Sequence, residues 1–124
     1  MIKILVAEDD KFLSNAYRVK LEREGYEVRV VFDGEELIQV IQEFTPDLII
    51  LDLIMPKKDG FGVLQELGKS EKYKNIPVIV ASNLGQSEDI VRAAKLGAQD
   101  YIVKTDLTMK KLVEKIKSLL PSQL

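Results

Sequence analysis

The chain of 124 residues contains no cysteine and no histidine. Without cysteine there are no disulfides and no thiolate metal sites. Without histidine the commonest general base, proton shuttle and metal ligand is missing, so any catalysis falls to carboxylates, lysines, hydroxyls, backbone amides or a hard cation held by oxygens. Neither sign of charge dominates: 18 Lys plus Arg face 20 Asp plus Glu, a formal net charge of -2. That balance gives no long-range attraction to nucleic acid or to an anionic membrane surface, so no direct nucleic-acid partner is expected. Long apolar runs are also absent. None approaches the roughly 20 residues of a membrane helix, and the apolar start, Met1 to Ala7, meets Glu8, Asp9 and Asp10 before it could become a signal-peptide core. No membrane partner is expected, and a cytoplasmic location is the default.

What is present, 46% hydrophobic and 31% charged residues, describes one domain. A chain of this length buries roughly 65 to 70% of the surface its unfolded form exposes, enough for one core without staples. The domain is expected over 1–120, with Pro121-Ser122-Gln123-Leu124 as a loose tail.

Short apolar runs rich in branched residues alternate with longer amphipathic stretches, the pattern of beta-alpha units around a parallel sheet. The runs Ile2–Ala7, Glu27–Val31, Leu48–Leu51, Val78–Ala81 and Tyr101–Val103 read as strands. Lys11–Glu24, Glu35–Phe44, Phe61–Leu67, Ser87–Leu96 and Thr108–Leu120 read as helices. Asp10, Asp33 and Ser87 can cap amino termini, and Gly25 and Gly97 stand just past helices, where glycine takes a positive φ cheaply. The predicted class is α/β, a doubly wound five-stranded parallel sheet with helices on both faces. In such sheets function gathers outside the carboxyl ends of the strands near a topological switch point.

The residues that fall there are Glu8, Asp9 and Asp10 after the first strand, Asp52 after the third, Ser82 and Asn83 after the fourth and Lys104 after the fifth. Two carboxylates about 5 to 6 Å apart repel by roughly 3 kcal/mol at an effective dielectric of about 20, so a positive partner is needed. Oxygen ligands without His or Cys suit a hard divalent cation, magnesium (Mg2+) being the one expected, and Lys104 supplies a fixed charge. A cation, a lysine and a hydroxyl around one carboxylate make a phosphoryl-transfer site. Asp52, already ionised, can itself attack phosphorus and form an acyl phosphate.

These residues resemble the receiver domain of two-component response regulators, including the single-domain chemotaxis type. The resemblance covers essentially the whole chain and rests on Ile4-Leu5-Val6-Ala7-Glu8-Asp9-Asp10, on Pro46 through Pro56 followed by Asp59-Gly60, on Ala81-Ser82, and on Gly97 through Lys104. It implies the flavodoxin-like strand order 2-1-3-4-5. It also implies Asp52 as phosphoacceptor and Asp9 as a direct magnesium ligand, with Glu8 acting through water and the backbone carbonyl of Ile54 completing the set. Ser82 is the implied hydroxyl that swings to the phosphoryl group, Lys104 the lysine that pairs with it, and Tyr101 the switch aromatic.

The function so implied is a phosphorylation-dependent signalling switch, charged by a histidine kinase or phosphotransfer protein. Its affinity for a downstream protein would change through helix four, strand five and helix five. It is not a turnover enzyme but promotes its own aspartyl phosphorylation and dephosphorylation, as a monomer or a phosphorylation-dependent homodimer. The leading reading is a stand-alone switch.

The sequence departs from the family at three places. Thr105 follows Lys104 where proline is common, so that peptide is expected to be trans. Ile54 and Leu84 occupy two positions that border the phosphoryl group in the family. Both are apolar, and they are expected to hinder an attacking water and prolong the acyl phosphate.

Plainer readings stand beside these. Glu8, Asp9 and Asp10 can serve only to cap the first helix, and Ser82 only to shape a turn. Lys110, Lys111, Lys115 and Lys117 form a solvated face or a docking surface for an acidic partner. A haloacid-dehalogenase-type phosphatase would need an acid where Ile54 stands, and a flavin carrier would meet repulsion from the first-strand acids. An unphosphorylated scaffold or interaction module is the remaining alternative.

Overall fold

A computed structural model describes residues 1–121. Of the expected tail, Ser122, Gln123 and Leu124 lie outside the described residues. The chain alternates β1 (Lys3–Ala7), α1 (Lys11–Arg23), β2 (Glu27–Val31), α2 (Gly34–Val40), β3 (Leu48–Leu51), α3 (Gly60–Gly68), β4 (Val78–Ser82), α4 (Ser87–Lys95), β5 (Asp100–Val103) and α5 (Met109–Leu119), with one 3-10 turn, Lys104–Asp106, after β5. The five strands form one parallel sheet in the order β2-β1-β3-β4-β5. Strand order reverses between β1 and β3, which creates the crevice where α1 and α3 leave the sheet toward opposite faces.

Strand alternation divides the core in two. Leu5, Ala7, Ile49, Leu51, Val78 and Val80 face α2, α3 and α4 and join Leu37, Phe61, Leu64 and Ala93. Ile4, Val6, Leu48, Ile50, Ile79 and Ala81 face α1 and α5 and join Tyr17, Leu21, Leu112 and Ile116. Central strands β3 and β4 are buried along their whole length, which explains their unbroken apolar runs. Truncating such a residue, Leu51→Ala for instance, costs about 2 to 5 kcal/mol.

Helix ends follow side-chain chemistry, with one correction. Asp10 accepts from the amides of Phe12 and Leu13, and Asp33 from that of Glu36, as expected of caps. Ser87 does not cap. Gln86 occupies the cap position of α4 and makes no side-chain cap bond. Asp59 and Thr108 are the caps that the sequence pattern left unassigned, accepting from Gly62 and Lys111. Regular α2 ends at Val40, short of the expected Phe44, and the chain goes on through a turn whose Phe44 amide still reaches the Val40 carbonyl at 2.8 Å. Gly25 and Gly97 have φ of 94° and 111°, as their places after α1 and α4 required.

Candidate functional site

Three strand ends and the turn after β5 build a groove of about 480 Å³ at the carboxyl edge of the sheet, lined in part by Glu8, Asp9, Asp52, Ile54, Asn83 and Lys104. Glu8 continues the β1 ladder by one bond, its amide donating to the Val31 carbonyl at 3.0 Å. Asp52 continues β3 in the same way, its amide donating to the Ala7 carbonyl at 3.0 Å. Both side chains are buried, whereas Asp9 is exposed at the rim. Carboxylate oxygens of Glu8, Asp9 and Asp52 lie within 4.8 Å of one another.

Lys104 enters from the end of β5 and bridges the two buried acids. Its Nζ donates to Asp52 Oδ2 at 2.7 Å and lies 2.7 Å from Glu8 Oε1. The approach to Oε1 falls outside hydrogen-bonding angles, so that oxygen is ion-paired yet receives no directed bond. Glu8 Oε2 accepts from the Asp10 amide at 3.0 Å, and Asp52 Oδ1 from the Ile54 amide at 3.2 Å.

Burial pushes the Glu8 carboxyl above its usual range, against the pull of Lys104 and the Asp10 amide, and the charge of Asp52 pushes the same way. Burial works to lower the Lys104 ammonium, but its bond to Asp52 and its close pairing with the Glu8 carboxylate outweigh it and hold the group above its ordinary value. Two buried negative charges thus share one positive charge, with an exposed third acid beside them. Fixed, oxygen-only donors with a surplus of negative charge and an open side toward water fit a hard divalent cation.

The structure brings Glu8, Asp9, Asp52, Ile54 and Lys104 together at the groove. Ser82 stands at the end of β4 but is fully buried, its Oγ accepting from the Leu84 amide at 3.3 Å, and Asn83 lines the groove in its place. Tyr101 is half-buried against the α2–α3–α4 side of the core, and its hydroxyl donates to the Leu84 carbonyl. Leu84 departs from expectation. Its side chain packs against that core rather than bordering the groove, because the residue lies on the Tyr101 side of the loop. The Lys104–Thr105 peptide is trans, as are all described peptides.

This geometry agrees with a match of residues 4–117 to the family model of the response regulator receiver domain. The chain belongs to that family. It is 42% identical over 118 residues to a "Probable transcriptional regulator ycf27" of Cyanophora paradoxa, covering 95% of this chain and 48% of that protein. Receiver domains of known structure are equally similar in fold. A Francisella response regulator 1452 receiver domain is 34% identical with a TM-score of 0.88, covering 96% of each chain. The Mn(2+)-bound form of response regulator Rcp1 is 30% identical with a TM-score of 0.83, covering 95% of this chain and 93% of the other. The chain spans about half the length of the curated relatives it matches.

As a receiver domain of a two-component system, the protein carries in Glu8, Asp9 and Asp52 an acidic cluster typical of the family's phosphoacceptor site. Among the described residues no helix is long and apolar enough to cross a membrane. A second cleft of about 530 Å³ opens between the carboxyl ends of α3 and α4, lined by residues such as Leu67, Lys69, Tyr73 and Lys95, and contains none of these acids. Lysines at helix carboxyl ends offset the helix dipole, which accounts for them there.

The lysines of α5 are divided in use. Lys115 pairs with Asp100 at 2.8 Å and Lys117 with Glu24 at 3.6 Å, while Lys110 and Lys111 are exposed. The first pair ties α5 to β5. The second is a surface contact worth little.

Proposed function

We propose that the protein is a phosphorylation switch whose phosphoacceptor is Asp52. One observation carries the reading: Lys104 Nζ bridges Asp52 and Glu8 on the buried floor of the groove, with Asp9 open to water beside them. Asp9, Asp52 and the Ile54 carbonyl would hold magnesium, with Glu8 reaching it through water. When bound, the cation neutralises charge on the phosphoryl oxygens.

An Asp52 oxygen forms a bond to phosphorus as the bond from phosphorus to the donor's imidazole nitrogen breaks, the electron pair leaving with the nitrogen. Lys104 gives up its pairing with the Asp52 carboxylate for a phosphoryl oxygen. The added charge of about -1.5 to -2 draws the Ser82 hydroxyl from the Leu84 amide and frees the β4–α4 loop to close on the phosphate, with Tyr101 following. Partner affinity then changes through the α4–β5–α5 face. Later attack by water on phosphorus restores the carboxylate and releases inorganic phosphate.

The phosphodonor is a histidine kinase or phosphotransfer protein. Support comes from the rim, where Phe12 is 92% and Ile54 55% exposed beside the acids, with Phe32 exposed across α1. Large apolar side chains around a charged groove suit a macromolecular donor with an apolar helix face, and a small phosphodonor has no use for them.

Intact-protein mass after incubation with acetyl phosphate, with and without magnesium, tests the reading. One phosphoryl adduct that requires the cation and disappears in Asp52→Asn is expected. No adduct under donor excess would leave the scaffold reading in its place.

A further inference from the structure

Among the described residues only two buried side-chain oxygens lack a hydrogen-bond partner, Glu8 Oε1 and the Tyr17 hydroxyl. A buried hydroxyl without a partner costs about 1 to 3 kcal/mol, and a phenylalanine would fill the same space at no such cost. Tyr17 is fully buried on α1, in the cluster formed by Ile4 and Val6 of β1. Glu8 lies two residues beyond Val6 with the ladder unbroken, so strand alternation points Ile4, Val6 and Glu8 toward the same α1 side of the sheet. The phenol's acidity is suppressed first by burial and then by the charges of Glu8 and Asp52.

Glu8 has room for another donor. Its Oε2 takes the Asp10 amide, while Oε1 has only the off-angle ammonium of Lys104, and each carboxylate oxygen offers about two acceptor sites. The unpartnered hydroxyl and the oxygen that holds only an ion pair therefore have complementary chemistry on one side of the sheet.

We propose that Tyr17 is a positioning residue for the acidic cluster, its hydroxyl donating to one enclosed water that in turn donates to Glu8 Oε1 and fixes that carboxylate's orientation toward the cation site. The inference rests on the cation-binding reading above. Groups that hold a metal's carboxylates in place typically change affinity by about 10- to 100-fold when removed. Phenylalanine removes the oxygen and keeps the ring, so packing is preserved.

Two measurements on the full chain test this. In the metal-free protein, the Tyr17 hydroxyl proton should be slow to exchange and visible by NMR, and its resonance should move in Glu8→Gln. Mn2+ affinity should fall about tenfold in Tyr17→Phe relative to wild type, and the same change should have little effect in the Glu8→Gln background. Unchanged Mn2+ affinity in a Tyr17→Phe protein that melts higher than wild type would overturn the proposal, as would an equal loss in both backgrounds. Should wild type bind no Mn2+, the cation reading fails by itself. The hydroxyl resonance then decides the Tyr17–Glu8 pairing alone: a position unmoved by Glu8→Gln overturns it.

Discussion

Ser82 and Tyr101 hold opposite ends of the same residue's backbone. The Leu84 amide donates to Ser82 Oγ at 3.3 Å, and the Tyr101 hydroxyl donates to the Leu84 carbonyl. A hydroxyl at the floor of the sheet and a ring on its edge strand are thereby linked through the β4–α4 loop. Drawing Ser82 away removes one restraint on that loop and leaves the Tyr101 bond as the other.

Removal of the first restraint is measurable without any phosphate. A bond of this kind contributes about 1 kcal/mol net, so Ser82→Ala should speed amide exchange at Leu84 roughly fivefold. Tyr101→Phe should affect that amide less, because its bond is to the carbonyl. Hydrogen exchange followed by NMR checks both, and equal protection in Ser82→Ala and wild type would contradict the linkage.

Glu8 makes the metal-free site unfavourable at neutral pH. Its carboxyl is held above the ordinary value of 4.5 chiefly by burial. With the folded value raised, the stability this group contributes is fully present below about pH 4.5 and is lost as pH rises through the folded value. Glu8→Gln in metal-free buffer should therefore gain stability relative to wild type as pH rises from 4.5 toward 7. The advantage should shrink as pH falls toward 4.5, where the wild-type carboxyl is neutral too. Urea unfolding across that interval gives the comparison.

A cation that binds only the folded protein must stabilise it. At a concentration about ten times its dissociation constant the gain is roughly 1.4 kcal/mol, or about 5 °C in melting temperature for a domain of this size. Magnesium should produce that rise in wild type, and Asp9→Asn, which removes the exposed negative charge from the ligand set, should abolish most of it. A rise of the same size in Asp9→Asn would place the cation elsewhere.

The sheet and the acids were legible in the sequence because each leaves a local mark. Leu48–Leu51 and Val78–Ala81 are unbroken apolar runs, and the acids follow strands directly. What was hidden depends on contacts between distant segments. Asp59-Gly60 reads as turn punctuation. In the fold Asp59 caps α3, and a Cβ on Gly60 would stand 2.4 Å from the Asp52 carbonyl oxygen, so that glycine is required by a close approach beneath Asp52. Leu84 was misplaced for a similar reason: spacing from Ser82 says nothing about which side of a loop a side chain takes. The orphaned hydroxyl of Tyr17 likewise has no signature in a periodic apolar helix face.

The exposed rim should separate protein donors from small ones. Phe12 is almost wholly exposed, so Phe12→Ser removes apolar docking area at little cost to the fold. The rate of phosphorylation by acetyl phosphate should stay within about twofold of wild type. Transfer from a phosphorylated histidine phosphotransfer protein should slow by roughly tenfold, equivalent to about 1.4 kcal/mol of lost docking energy. Equal slowing with both donors would mean that Phe12 acts on the acids themselves and not on the partner.

Ile54 and Leu84 should differ in their effect on phosphoryl lifetime. Ile54 lines the groove beside Asp52, its amide bonding Asp52 Oδ1 at 3.2 Å, and its side chain is 55% exposed there. An asparagine there supplies a polar partner for a hydrolytic water and removes apolar cover, and one added hydrogen bond in the transition state is worth about tenfold in rate. Ile54→Asn should shorten the lifetime of the Asp52 phosphate by about that factor, measured as loss of the mass adduct after the donor is removed. Leu84→Glu should act differently. It forces a charge against the core beside Tyr101, so its first effect is a loss of stability of about 1 to 3 kcal/mol, read by denaturant unfolding. A Leu84→Glu protein that is as stable as wild type and hydrolyses faster would return that side chain to the groove.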